Sequence, residues 1–242
     1  MTIDHVEPWV ETESGIAFDL LRPRAEDVSL VDVAGHLSKI NRYAGATLGP
    51  IGPSVAQHSV HVSRILEVWG APLEVQREGL LHDAPEAYYG DVSSPVQRAM
   101  RAVWRAQIDE VGALALGKAN ELSPAGRDTA LAIVEGMRGA ILVVDPFSEL
   151  REIVDPVVRG AFGLPLEESP LVKRADLVAL ACERHAIMAP CLRDWNLPEF
   201  ADTRWRQIVP KASDEARREF IARHDLIASA IVAAQRAQQA TP

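Results

Sequence analysis

Ser54-Val55-Ala56-Gln57-His58-Ser59-Val60-His61-Val62-Ser63-Arg64-Ile65-Leu66-Glu67-Val68-Trp69-Gly70 reads as one amphipathic helix. Val55, His58, Val62, Ile65 and Leu66 recur at intervals that place them on related faces of an α-helix. Ser54 is suited to cap the first turn with its hydroxyl, and Gly70 to end the last. A histidine therefore stands among the apolar positions of a helix.

The same period extends in both directions. Upstream, Leu30, Val33, Ala34, Leu37 and Ile40 predict a helix from about Ser29 to Tyr43, with Ser29 as its cap. A Gly- and Pro-rich loop, Gly45 to Pro53, joins the two. Downstream, Pro72 opens a helix running through Leu80, Leu81 and His82, in a region closed by Gly90. Further helices are expected from Pro95 to about Leu116, from Ser123-Pro124 to about Met137, over 140–162 and 168–188, and from Asp214 to about Ala237. Period-2 alternation is confined to the first 28 residues, where Val10 to Leu20 suggests a hairpin turning at Ser14-Gly15. The expected fold class is all-α, a helical bundle with a small N-terminal β-hairpin. One domain is expected over 1–242.

The chain has 242 residues, of which 48% are hydrophobic, ample for a packed core. No charged start leads into an apolar run, so no signal peptide is expected. The longest apolar runs, such as Ala140 to Val144, fall far short of the ~20 residues that span a bilayer, so no membrane partner is expected. Cys182 and Cys191 are not in a metal-type spacing and read as two thiols of a reducing cytoplasm. A net charge of −9 without a basic face argues against duplex nucleic acid. It leaves room for a small anionic substrate, which a metal ion and a few local cations can hold.

His82-Asp83 is a pair that chance supplies easily. It gains weight from its company: His58 on the preceding helix and Asp176 in Val172-Lys173-Arg174-Ala175-Asp176. Two imidazoles and two carboxylates suit one divalent Mn, Fe, Co, Ni or Zn ion. Four protein ligands would leave an octahedral ion two positions, for water and a phosphate oxygen. Glu86 lies four residues after His82, on the same face if the helix continues, and Asp91 follows Gly90 in an expected loop; acids so placed can move protons. Both also have a plain reading, as a solvated helix face and a turn carboxylate. Arg42, in Asn41-Arg42-Tyr43 at the expected end of the first helix, can grip phosphate bidentately or pair with an acidic neighbour at the surface.

Four elements in order resemble the HD-domain superfamily, and within it the YfbR-like 5′-deoxynucleotidases and phage dATP triphosphohydrolases. They are Ile40-Asn41-Arg42-Tyr43, Gln57-His58-Ser59, His82-Asp83-Ala84-Pro85-Glu86 through Gly90-Asp91 to Pro95-Val96, and Val172-Lys173-Arg174-Ala175-Asp176. The resemblance implies an HD-type helical bundle and a metal ion held by His58, His82, Asp83 and Asp176. It implies Glu86 beside the attacking water, Arg42 on phosphate, Asp91 supporting the substrate or the metal's surroundings, and Tyr43 near the sugar. The implied activity is hydrolysis of a deoxynucleoside 5′-monophosphate; the alternative is a triphosphohydrolase releasing tripolyphosphate. A nucleotide substrate and further copies of the chain are the expected partners, in a cytoplasm of bacterial or phage-encoded setting.

Departures from the pattern are Gln57 where a glutamate is common, Gln97 where a lysine is common, an expected helical insertion over about 104–148 and an expected C-terminal helical extension over about 190–242. HD-domain oxygenases resemble the chain less, because no histidine stands between His82 and His185 to serve a second iron. Alarmone hydrolases carry a Glu-Asp pair where Glu86 is followed by Ala87. A non-catalytic HD module would be expected to lack a ligand or the acid. His61 is read as a neighbour of the site or a surface residue. His5, His36, His185 and His224 carry no role. Trp9, Trp69, Trp104, Trp195 and Trp205 are expected to pack, and Arg217, Arg218 and Arg223 to line a solvated face.

Overall fold

A computed structural model of the chain describes residues 7–141, 145–197 and 208–239. They form a mainly helical fold with one two-stranded antiparallel sheet near the N-terminus. Strands β1 (Trp9–Glu11) and β2 (Ala17–Asp19) pair Trp9 with Asp19, Val10 with Phe18 and Glu11 with Ala17. Their turn is fixed by Asp32, whose carboxylate accepts from the backbone N–H and hydroxyl of Ser14 and from the hydroxyl of Ser29.

The helices are α1 (Leu30–Leu37), α2 (Val55–Val68), α3 (Leu73–Leu81), α4 (Glu86–Tyr89), α5 (Ser94–Ala119), α6 (Pro124–Ile141), α7 (Pro146–Ala161), α8 (Pro170–Ile187) and α9 (Ser213–Gln239). Both serine caps form: Ser29 accepts from the N–H of Asp32, and Ser54 from that of Gln57. Two expectations about helix ends fail. The first helix stops at Leu37, and Arg42–Gly45 form a separate 3₁₀ turn in which Tyr43 and Ala44 have positive φ. The third stops at Leu81, so Glu86 opens its own short helix instead of continuing that of His82. Pro85 is the reason: it has no N–H to continue the ladder, and its ring crowds the preceding turn. Asp145 starts α7 at Pro146 by accepting from Phe147 and Ser148, although a helix was expected from 140; residues 142–144 lie outside the described set, as do His5 and Trp205.

The chain divides into two compact units, one containing residues up to Asp91 and from Ile153, the other Val92–Glu152. The second is built around the α5–α6 hairpin. In the first, α2 packs on α3, α8 and α9, and α9 also packs on α1 and α3. The core between α2 and α8 is Val62, Ile65 and Leu66 against Val172, Ala175, Val178, Ala179 and Cys182. Gly79 lets α3 approach α2, since a Cβ there would stand 2.3 Å from Leu66 Cδ1 and 3.3 Å from Val62 Cγ1. Gly79→Ala is therefore expected to destabilise the fold by ~1–3 kcal/mol, read by urea unfolding, as overpacking does.

Buried charge pins the helices together. Arg223 faces inward, not to solvent as its arginine-rich stretch suggested: it donates to the Ser63 hydroxyl and carbonyl, to Gln76 and to Glu67. Buried Glu78 accepts from Arg159 and from the N–H of Ser169, tying α3 to the start of α8. Trp9 is half-exposed at 49%, whereas Trp69 packs on the α2–α8 core. Among the described residues no helix is long and apolar enough to cross a membrane.

Candidate metal centre

α2 carries His58 inward, where it is 1% exposed. Its Nδ1 lies 2.7 Å from Glu183 Oε1, and since a carboxylate only accepts, Nδ1 holds the proton. That tautomer leaves the Nε2 lone pair pointing into the site, 3.0 Å from Asp176 Oδ1 and 3.8 Å from Asp83 Oδ2. His82, capping α3, is set the same way: Nδ1 donates to the Gly79 carbonyl at 2.9 Å, and Nε2 stands 3.2 Å from Asp83 Oδ2. The two rings tilt toward each other with centroids 5.4 Å apart.

His58, His82 and Asp176 each present one ligand atom to a common space in which all lie within 4.8 Å of one another. Asp83 stands beside both imidazoles without belonging to that tight triad. Two nitrogen lone pairs and two carboxylates thus converge, and Nε2 of His58 is a buried polar atom with no well-formed hydrogen bond. Such a set repels itself unless a cation sits among its members. With a proton as that cation, burial and Arg42 lower the His58 imidazole, but Glu183 and Asp176 outweigh them and raise it. Burial likewise raises Asp176, but His58, His82 and Arg42 hold its carboxyl well below the usual carboxylate range. The residues could hold a metal ion.

Glu183 was not found in the sequence. It is 1% exposed, two turns after Asp176 on α8, and accepts from three donors: His58 Nδ1, Arg42 Nε at 2.9 Å and the Tyr43 hydroxyl. Burial opposes its ionisation, yet Arg42 and His58 keep its carboxyl far below the normal range. The 3₁₀ turn holding Arg42 and Tyr43 is locked over it by backbone bonds from Arg42 to Pro53, Val55 to Ile40 and Leu48 to Ile187. Arg42 is consequently buried, with Nη1 3.9 Å from Asp83 Oδ2, and its guanidinium lies 5.3 Å from the Tyr43 ring centre. Tyr43 in turn leans on Trp195, ring centres 5.9 Å apart.

The other expected residues surround this centre. Asp91 is half-buried; desolvation pushes its carboxyl up, Arg42 and His58 pull it down, and Asp83 and Glu183 push it up. Glu86 is half-buried at the start of α4. Glu168, a second residue missed in the sequence, is raised by burial and feels the charges of His82, Asp176 and Asp83. His61 is lowered to about 4, first by burial. The Gln57 amide donates to the Val209 carbonyl and accepts from the Lys211 N–H, a two-way role that an ionised glutamate cannot fill. His36 is structural, its Nδ1 donating to the Ala87 carbonyl and its Nε2 accepting from the Glu13 N–H.

The chain is similar, at 27% identity over 216 residues, to the uncharacterized protein YfdR of Escherichia coli; the match covers 89% of this chain and 93% of that one. A second relative, an uncharacterized protein of Rhodobacter capsulatus, is 35% identical over 100 residues, covering 38% of this chain and 48% of its own length. No family model matches the chain.

Proposed function

We propose that this protein is an HD-type, metal-dependent phosphohydrolase whose substrates are nucleotides, with deoxynucleoside 5′-monophosphates as the preferred class. The observation that carries the reading is the convergence of His58, His82 and Asp176 within 4.8 Å, around a His58 nitrogen that lacks a well-formed hydrogen bond. His58, His82 and Asp176, with Asp83 beside them, would hold one Mn, Co, Fe, Ni or Zn ion. When bound, such an ion supplies Lewis-acid charge to phosphate oxygens and makes water acidic near neutral pH.

The chain's own residues supply the rest. Glu183 fixes Arg42 through Nε, so that the terminal guanidinium nitrogens serve as donors to phosphate. Glu86 takes a proton from the attacking water. Asp91, pushed up by burial, is the acid suited to return one to the leaving oxygen. Tyr43, held by its hydroxyl on Glu183, lies against the sugar and disfavours a 2′-hydroxyl.

The deciding experiment incubates the purified protein, loaded with Mn or Co, with deoxy- and ribonucleoside mono- and triphosphates and identifies the products by chromatography. Nucleoside plus phosphate from deoxynucleoside monophosphates supports the reading. Tripolyphosphate from a deoxynucleoside triphosphate moves it to the triphosphohydrolase alternative. Metal-loaded protein that releases nothing from any of them overturns it in favour of a binding module. In an active preparation, Glu86→Gln is expected to keep the metal and most substrate affinity while kcat falls ~10²-fold, the effect of losing a positioned proton acceptor.

A further inference from the structure

α5 is 26 residues long and buries only Gly112 and Ala119 fully. Trp104 and Ile108, half-buried, share the side of the helix that carries those two. A different face, centred about 100° round the helix, carries large apolar side chains in the open: Val96 at 47%, Met100 at 42%, Val103 at 59%, Val111 at 64% and Leu114 at 64% exposure. At 100° per residue these five and Gln107 fall in one strip about 80° wide. A soluble helix does not ordinarily leave such a strip uncovered.

From Met100 to Leu114 the strip is symmetric about its one polar member, and beyond that stretch Val96 falls opposite Lys118, whose alkyl stem can lie along it. Val103 and Val111 lie four residues to either side of Gln107, and Met100 and Leu114 lie seven. We propose that this face packs, antiparallel, against the same face of a second copy of the chain, with the two-fold axis passing through Gln107. An isologous contact requires a surface complementary to itself. Rotation about Gln107 sets Val103 against Val111 and Met100 against Leu114, each pair occurring twice, and brings no charge of the strip from Met100 to Leu114 against a like charge. At the axis the two Gln107 amides meet, and each has a donor and an acceptor to offer the other.

The dimensions are sufficient. α5 is about 39 Å long, and two helices side by side are about 20 Å wide. A hairpin-on-hairpin contact of that outline covers ~800 Å² per copy, the area of a stable interface. α6 also carries an exposed apolar side chain, Ile133. The product is an antiparallel four-helix bundle made from two α5–α6 hairpins.

The test uses the full chain in sedimentation velocity and light scattering at micromolar concentrations. Twice the 26.4 kDa chain mass is expected for the wild type. Val111→Glu, an exposed position, is expected to keep the circular dichroism spectrum while weakening self-association ~10²-fold or more, because each interface would bury two unpaired carboxylates. In a Cys191→Ser background, Gln107→Cys is expected to form a disulfide-linked dimer under mild oxidation, whereas Arg105→Cys, on another face, is not. A monomeric wild type, a dimer that survives Val111→Glu, or cross-linking at 105 in preference to 107 would each overturn the proposal.

Discussion

Asp176→Ala is expected to bind a divalent ion more than ~10²-fold more weakly than the wild type, beyond the ~10–100-fold typical of a residue that merely supports a ligand. Hydrolysis should fall by more than ~10⁴-fold, because members of one catalytic unit fail together instead of contributing separately. The carboxylate sits 3.0 Å from His58 Nε2 and is held ionised by His58, His82 and Arg42. It is over a third exposed, so its removal should leave the fold near wild-type stability. Calorimetric titration with Mn, together with a melting curve of the apo-protein, separates the two effects. Unchanged metal affinity would remove Asp176 from the site, and with it the proposed chemistry.

Glu183→Ala should act in the opposite way, on the fold first. It leaves the buried Arg42 guanidinium without its partner and strips His58 Nδ1 of its acceptor. Breaking one side of a buried ion pair typically costs ~3–5 kcal/mol. At ~2–4 °C per kcal/mol for a chain of this size, the melting temperature should drop by roughly 6–20 °C. The pair Arg42→Met with Glu183→Leu should recover much of the loss, since it removes both charges from the interior. The sign with pH follows from the lowered carboxyl. Its contribution is complete at neutral pH, starts to fall away as pH drops below ~4 and is gone only in stronger acid, below the lowered carboxyl's own range, so the mutant's deficit should shrink in acid. A full deficit persisting at pH 3 would show that packing, not charge, is what Glu183 supplies.

Much of the fold could be read from local chemistry. Ser29 and Ser54 cap as their hydroxyls suggest, the hairpin turns at Ser14-Gly15, and α2 buries the residues its helical period marks. The histidines were legible because each stands in a short, distinctive string. Glu183, Glu78 and Arg223 were not, because periodicity says which face is apolar but not which charged residue on it finds a partner 80 to 160 residues away. In the arginine-rich C-terminal stretch, Arg218 is exposed and Arg223 buried, though both lie on one helix. A spacing of seven between Asp176 and Glu183 was the available sign that two carboxylates share a face. The break between α3 and α4 has its local sign in Pro85, whereas the four-residue spacing of His82 and Glu86 by itself suggests an unbroken helix.

The first unit is discontinuous in sequence, and this has a consequence for how the protein is made. α2 and α3 leave the ribosome roughly 90 residues before α8, with the whole of Val92–Glu152 emerging between them. At 5–20 residues per second that is a delay of roughly 5–20 s. Throughout it Val62, Ile65 and Leu66 have no α8 to cover them, and Arg223 has not arrived to satisfy Ser63 and Gln76. The α5–α6 hairpin, whose contacts are local, has time to form while the first half waits. The nascent amino-terminal half is thus the aggregation-sensitive stage of biosynthesis, and a holdase chaperone would find its target in the bare face of α2.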